Sequence, residues 1–238
     1  MFLSTKQLLT QTFDFCKTHP KTLLTYTGIM TIPIILQILL SLLPLFIPPF
    51  LYSIIIIIPS FLVSIFITTA LTKRIADLRK GTPTSLSSEL KTSFHLFLPV
   101  LLTSLLGGLL ILLGFFVFII PGIIFTVWFA FILYAVILDN KTTIEALKHS
   151  KSLVSGRWWQ VFSKIIAILS LVIVVAYVLE WVIKTFYFSV IFPLTTHISL
   201  ALLTITLPFI LFSAFTTVII TVYMVIFYTH LSKSLTKT

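Results

Sequence analysis

The chain has 238 residues, of which 58% are hydrophobic and only 9% are charged. Soluble domains usually carry about 25% charged residues, so this composition excludes an ordinary water-soluble domain and predicts an all-α bundle of membrane helices. The net charge of +10 would suggest nucleic-acid binding in a soluble protein, but basic residues retained on one side of a membrane explain it, and no nucleic-acid partner is predicted.

The amino-terminal segment is predicted to be an amphipathic helix rather than a cleavable signal peptide, because charged residues interrupt any apolar core. At about 100° per residue its apolar side chains share one side of a helix. They are Phe2, Leu8, Leu9, Phe13, Phe15 and Cys16. We expect this helix to lie in the membrane interface. Cys16 is the single cysteine, so no intrachain disulfide is possible.

Three long runs lack Asp, Glu, Lys and Arg, and each is more than twice as long as the roughly 20 residues that one membrane span needs. They are Thr22–Thr72, Thr92–Leu138 and Thr185–Ser232. The first run divides at Pro44 and Pro48-Pro49, and the second at Pro121-Gly122, because proline interrupts a helix. Pro33, Pro59 and Pro208 are expected inside spans, where membrane helices tolerate them.

The last third of the chain allows two span counts. One interpretation places a fifth span near Phe162–Ile183, an outer stretch at Pro193–His197 and a sixth span near Leu200–Tyr228. The alternative fits two spans into the third run, which makes seven and puts Lys233 and Lys237 outside. The positive-inside tendency disfavours the alternative. With six spans and both termini in the cytoplasm, Lys184 is the one basic residue outside.

The predicted architecture is therefore a single integral domain over residues 1–238, multi-pass in a cytoplasmic (plasma) membrane. Its six transmembrane helices are expected at about residues 23–43, 50–72, 96–120, 123–138, 162–183 and 200–228.

Amphipathic segments also precede the second and third hairpins. In the second, the apolar stripe consists of Leu86, Leu90, Phe94 and Phe97. In the third, it consists of Ala146, Leu147, Leu153 and Val154. Thr142-x-x-Glu145 matches a capping box at the start of the third segment. The chain is therefore predicted to contain three units, each an amphipathic interfacial helix followed by a hairpin of two spans.

One stretch carries a family resemblance. It combines the Pro121-Gly122 turn, an aromatic-rich span, Asp139 at the cytoplasmic end of that span, and a helix of the type EAL-x-x-S-x-x-L-x-x-G-x-W that leads to Trp158-Trp159. This pattern resembles the bacterial six-helix family called the glycerophosphoryl diester phosphodiesterase membrane domain, with its uncharacterised relatives. The resemblance implies a six-helix fold in a bacterial membrane. The family's name comes from fusions to a separate phosphodiesterase domain, which this sequence does not contain, so no catalytic residues are carried over. Gly156 is expected to end the helix.

Glu180 and Lys184 are the charges predicted near a span but away from its cytoplasmic end. Four residues apart, they can pair along one helix face. Ionisable residues inside a membrane are candidates for function, because exposing them to lipid is costly. The helical rise from Lys164 to Glu180, however, is about 24 Å. Because the hydrocarbon core is about 30 Å thick, this rise places Glu180 close to the outer membrane interface. Interfacial anchoring is therefore favoured over a substrate or proton site.

The remaining polar and aromatic candidates have simpler explanations. Asp139 is expected to cap or anchor a helix end, Glu145 to complete the capping box, and the pair Trp158-Trp159 to mark where the fifth span enters the headgroup region. Asp77 and Glu89 are interpreted as loop charges. The scattered histidines predict no metal site, and neither a glycine-rich phosphate loop nor a G-x-S-x-G elbow is present, so no cofactor or hydrolase chemistry is predicted. Gly107-Gly108 would allow close helix packing.

These observations favour a non-enzymatic membrane module that binds membrane lipids, another membrane protein or a second copy of itself. A small permease or channel subunit is the main alternative, because proline-broken helices can expose backbone to a solute. An intramembrane lipid-modifying enzyme is a third hypothesis, and the least favoured, because acid–base chemistry needs converging titratable groups.

Overall fold

A computed structural model of the chain describes residues 3–41, 48–82, 85–186, 189 and 198–235. Nine helical segments account for most of these residues, and the described part contains no β-strand. In chain order they are α1 (Thr5–Thr18), α2 (Pro20–Ser41), α3 (Pro49–Lys80), α4 (Leu86–Val117), α5 (Ile119–Trp128), α6 (Ile132–Asp139), α7 (Thr143–Val154), α8 (Trp158–Phe186) and α9 (Ile198–Leu235).

Five stretches of helix within the described residues are long and apolar enough to cross a membrane. They are Ile57–Lys80, Ser87–Val117, Ile119–Asp139, Trp158–Phe186 and Pro208–Leu235. The protein is therefore a multi-pass membrane protein. In the most apolar part of its span, α9 has 44% of its residues buried inside the protein, whereas α8 has only 6%. Helix α9 thus lies at the centre of the bundle, and α8 lies at its edge.

The first predicted span coincides with α2, but α2 is not among these five stretches. The total of six spans with both termini inside stays a prediction. Pro44 and the predicted outer stretch Pro193–His197 lie outside the described residues. Pro33, Pro59 and Pro208 lie inside α2, α3 and α9, as expected for membrane helices.

The second amphipathic segment and the third span are one helix, so the predicted boundary between them was wrong. Helix α4 runs for 32 residues, and Ser85 caps its start, since the Ser85 hydroxyl accepts the N–H of Ser88. Pro99 lies within it without ending it. Likewise α3 continues past the predicted end at residue 72 and ends at Lys80. The next residue, Gly81, adopts a left-handed conformation. Each helix therefore continues from the apolar span into the polar region, although Pro59 lies inside α3 and Pro99 inside α4.

The predicted break at Pro121-Gly122 also lies elsewhere. The chain is extended at Phe118, three residues earlier, and Pro121 occupies the first turn of α5. Proline is tolerated there because the N–H groups of a first helical turn have no partner within the helix. The predicted continuous fourth span is interrupted as well, by a turn at residues 129–131.

Helix α7 holds that turn in place. Its residue Ser150 is fully buried, accepts the N–H of Phe131 at 3.2 Å and donates to the carbonyl of Trp128 at 2.6 Å. The four apolar residues of the third amphipathic segment are all buried, and α7 packs on α4, α5 and α6. The capping box of Thr142 and Glu145 is confirmed, and so is the helix stop at Gly156, which has a φ of 76°.

Glycine lets α4 approach α5 and α6 closely. A Cβ on Gly122 would collide with the ring of Phe115, and one on Gly107 would collide with Ile132. Gly108, which the sequence also suggested for close packing, has nothing within 4 Å of such a Cβ. Only the first glycine of that pair therefore serves helix contact.

Candidate functional site

The ends of three spans meet around a cavity of about 230 Å³, here called the basic cavity. Its lining residues come from the last turns of α3, α6 and α9. They are Ala76, Arg79, Lys80, Leu138, Asp139, Tyr228, Thr229, Ser232 and Lys233. Three of them are cationic and one is a carboxylate, so the lining has a net positive charge. Such a cavity attracts an anion.

Asp139 connects three helices at the basic cavity. The hydroxyl of Tyr228 donates to its Oδ2 at 2.5 Å. The Nε2 atom of His149 lies 3.5 Å from the same oxygen, outside hydrogen-bond geometry. Asp139 is the last residue of α6, and Asn140 after it is left-handed. The predicted anchoring role thus takes the form of a link from α6 to α9 and α7.

Arg79 and Lys80 lie in the last turn of α3, where positive charge is favourable beside the carbonyl end of the helix dipole. A guanidinium nitrogen of Arg79 donates to the hydroxyl of Thr229 on α9 at 2.5 Å. This contact orients a planar donor group at the cavity. Guanidinium groups bind carboxylate and phosphate oxygens through paired N–H donors, so the cavity is suited to a phosphate or carboxylate group.

A buried ion pair joins α3 and α4, and the prediction that Glu89 is a loop charge was wrong. Glu89 is only 2% exposed and is therefore not a loop charge. Its Oε1 accepts from Arg74 of α3 at 2.6 Å, and its Oε2 accepts from the hydroxyl of Tyr26 of α2 at 2.9 Å. Asp77 is also buried, and it pairs with Lys73 at 3.7 Å.

A signal for the Glu89 pair was present in the sequence. Glu89 follows Leu86 by three residues and so lies beside the predicted apolar stripe of α4. Of the stripe, Leu90 and Phe94 are exposed, whereas Glu89 and Ser93 beside them are buried. Ionisable residues within membrane helices mostly face the bundle interior and pair there, as Glu89 does.

The pair Trp158-Trp159 lies at the start of α8, beside an apolar groove of about 720 Å³, here called the aromatic groove. Its lining residues come from α5, the turn after α7, and α8. They are Ile120, Ile123, Ile124, Trp128, Ser155, Gly156, Trp158, Trp159 and Phe162. The ring of Trp158 stacks on Phe162 at 4.9 Å and 12°. The ammonium group of Lys151, which does not itself line the groove, lies 4.4 Å from the ring centroid of Trp128.

The remaining predicted residues lie away from both cavities. Glu180 and Lys184 form an ion pair at 2.6 Å on α8, with 42% and 54% of their side chains exposed. They line neither the basic cavity nor the aromatic groove. Glu145 is fully exposed and accepts the N–H of Thr142 at 3.0 Å. That hydrogen bond lowers the pKa of Glu145, because it stabilises the charged carboxylate.

Comparison with known proteins gives one match. Residues 93–231 match the family described as a domain of unknown function, DUF7847. The matched segment is more than half of the chain and includes α5 to α8 in full, with most of α4 and α9. No curated protein and no solved structure matches the chain. The resemblance to the glycerophosphoryl diester phosphodiesterase membrane domain stays a prediction.

Proposed function

Since the chain belongs to the DUF7847 family, whose description names no activity, we propose a function from the geometry of the site. The protein binds an anionic membrane lipid and carries out no chemical step of its own. The observation that carries this proposal is the basic cavity, where Arg79, Lys80 and Lys233 line one space at the ends of three apolar spans.

The position of the cavity supports a lipid headgroup as its ligand. Apolar helices end where the hydrocarbon core gives way to headgroups, so a cation-lined space at those ends faces lipid phosphates. The hydroxyls of Thr229 and Ser232 also line the cavity and add neutral hydrogen-bonding groups. The carboxylate of Asp139 is already bonded to Tyr228. That hydrogen bond disperses its charge and reduces repulsion of an incoming anion.

We further propose six spans, with α2 as the first and with both termini in the cytoplasm. The support is the placement of basic residues, since this arrangement leaves Lys184 as the only one outside. On this proposal the basic cavity faces the cytoplasmic leaflet of a bacterial plasma membrane. Helices α1 and α7 are then interfacial helices before the first and third hairpins, with Leu8 and Leu153 buried against the bundle.

Native mass spectrometry of the full chain in a mild detergent tests lipid binding directly. Phosphatidylglycerol and phosphatidylcholine with identical acyl chains are offered at equal concentration. We expect the anionic lipid to bind preferentially, and the variant R79Q/K80Q/K233Q to bind it at least about tenfold more weakly, which is about 1.4 kcal/mol. The matched control is K6Q/K21Q/K91Q, which removes the same charge at three exposed positions and is expected to bind like the wild type.

Two results would contradict the proposal. Equal loss of affinity in both triple variants would show that binding follows overall charge rather than the basic cavity. Conversion of a bound lipid by the purified protein, abolished by Asp139→Asn, would show that the protein is an enzyme. Copurified lipids identified by mass spectrometry give an independent check, with an anionic lipid expected in stoichiometric amount.

A further inference from the structure

We infer that the basic cavity selects lipids whose phosphate carries a polyol, such as the glycerol of phosphatidylglycerol, and that Asp139 recognises a hydroxyl of that polyol. The inference rests on the proposed function, because it concerns the same cavity, and it adds the class of headgroup. Three cations and a single carboxylate line the cavity. The cations match a phosphate, whereas the carboxylate matches a hydrogen-bond donor on the same ligand.

Asp139 has an oxygen atom that is available to a ligand. Its Oδ2 accepts the hydroxyl of Tyr228 at 2.5 Å, but its Oδ1 accepts no hydrogen bond from any residue that the structure describes. The side chain is 32% exposed and lines the cavity. An ionised carboxylate only accepts hydrogen bonds, and the bond from Tyr228 holds its orientation. Oδ1 is therefore a positioned acceptor within a cationic lining.

The opposite charges of this lining do not pair with each other. Arg79 donates to the hydroxyl of Thr229. Asp139 accepts from Tyr228, the preceding residue of α9. Among the described residues, Arg79 and Asp139 form no ion pair together, although both line the cavity. Each charge is bonded to a neutral hydroxyl and keeps further capacity, since a guanidinium has five N–H donors and a carboxylate has two oxygens. A ligand with both an anionic group and a donor would satisfy the two charges together.

A hydroxyl suits this cavity better than an ammonium group as the donor. Among the described residues of the lining, Asp139 is the one carboxylate. Arg79, Lys80 and Lys233 line the same space and would repel an ammonium group. A neutral hydroxyl gains a hydrogen bond to the carboxylate without that repulsion. The lining therefore favours phosphatidylglycerol over phosphatidylethanolamine.

Native mass spectrometry of the full chain tests the inference with two anionic lipids that have identical acyl chains and the same charge. Phosphatidylglycerol carries two hydroxyls on a three-carbon headgroup, whereas phosphatidylpropanol has a three-carbon headgroup without them. We expect the wild type to bind phosphatidylglycerol about fivefold to tenfold more tightly, because it gains a hydrogen bond to a charged acceptor. Soluble glycerol phosphate, which has the polyol without acyl chains, should not displace phosphatidylglycerol at equal concentration.

Variants at Asp139 locate the selectivity. Asp139→Ala removes the acceptor and should bind the two anionic lipids equally. Its affinity for phosphatidylpropanol should not fall, because a repelling carboxylate has been removed. Asp139→Asn keeps an acceptor oxygen at the same position and should keep part of the selectivity. The matched control is His149→Gln, since His149 lies 3.5 Å from Asp139 but does not line the cavity. It should be as selective as the wild type.

Several outcomes would overturn the inference. Equal binding of phosphatidylglycerol and phosphatidylpropanol, both above phosphatidylcholine, would leave the proposed lipid site in place and show that the hydroxyl is not recognised. Selectivity that survives Asp139→Ala would place the acceptor elsewhere. Tighter binding of phosphatidylethanolamine would show that the donor is an ammonium group, and displacement by glycerol phosphate would show that the ligand is soluble.

The two proposals fail in different ways. If neither anionic lipid binds better than phosphatidylcholine, the proposed function itself is wrong. The decisive comparison uses the wild type with two lipids, so it does not depend on the folding of any variant. Thermal unfolding followed by circular dichroism shows whether each variant is folded.

Discussion

Replacing Glu89 with glutamine should destabilise the protein, although the volume of the side chain hardly changes. The substitution leaves the guanidinium of Arg74, now 2.6 Å from a neutral amide, without its counter-charge. Removing one partner of a buried pair costs about 3–5 kcal/mol. The side chain of Arg74 is 22% exposed, so we expect the lower end, about 3 kcal/mol. The hydrogen bond from Tyr26 would also weaken, because its acceptor loses its charge.

Thermal unfolding in detergent, followed by circular dichroism, measures this effect. A loss of about 3 kcal/mol corresponds to a decrease in Tm of roughly 6–12 °C for a chain of this size. Glu180→Gln is the matched control, because it removes the same group from an ion pair of the same length on the exposed face of α8. Exposed pairs contribute about 0.2–1 kcal/mol, so its Tm should decrease by no more than about 4 °C.

A double-mutant cycle decides whether the pair itself is responsible. In R74Q/E89Q no charge is left unpaired, so the double variant should be more stable than the sum of the two single losses predicts. The reasoning is refuted if Glu89→Gln and Glu180→Gln have the same Tm, or if the losses at Arg74 and Glu89 simply add.

Three further predictions concern stability and use the same unfolding assay. Gly122→Ala forces a Cβ into the ring of Phe115 and should cost about 1–3 kcal/mol. Its control, Gly108→Ala, has free space around the new Cβ and should be neutral or slightly stabilising. Similar Tm values for the two variants would contradict this prediction. Ser150→Ala leaves the N–H of Phe131 unpaired and should cost about 1–3 kcal/mol, unlike the exposed Ser152→Ala. The pKa of Glu145 is lowered in the folded state, so its stabilisation is complete above its unfolded pKa of about 4.3 and is lost as pH falls through the lower folded value. The Tm difference between wild type and Glu145→Ala should therefore be present at pH 7 and vanish in strong acid, and a difference independent of pH would contradict the capping role.

Local signals predicted several features correctly. The capping box of Thr142 and Glu145 and the stop at Gly156 are formed within one turn of helix, so nearby residues suffice to predict them. The break before α5 was placed three residues too late, because Pro121 looks like a helix breaker in a sequence but fits the first turn of a helix. The interruption at residues 129–131 has no local signal, because Ser150, a residue of a different helix, holds it.

Residues of the candidate sites were predicted only in part. Asp139, Trp158 and Trp159 were singled out by type and position, and each lines one of the two cavities. Tyr228, which donates to Asp139, and Trp128, which lines the groove with the two tryptophans, were missed. They come from other helices and are brought there only by tertiary packing. Glu180 and Lys184, which looked equally suggestive in the sequence, form a pair with each other on an exposed face.

Composition and the charge-free runs by themselves determined that this chain forms apolar helices long enough for a membrane, because hydrocarbon excludes unpaired charges and unpaired backbone groups. They could not determine which side of each helix faces inward. In water Leu90 and Phe94 of α4 would be expected inside, but here both are exposed and Glu89 is buried with Arg74 and Tyr26. Only the tertiary structure decided this, because lipid solvates apolar side chains and leaves polar groups to find partners inside the bundle.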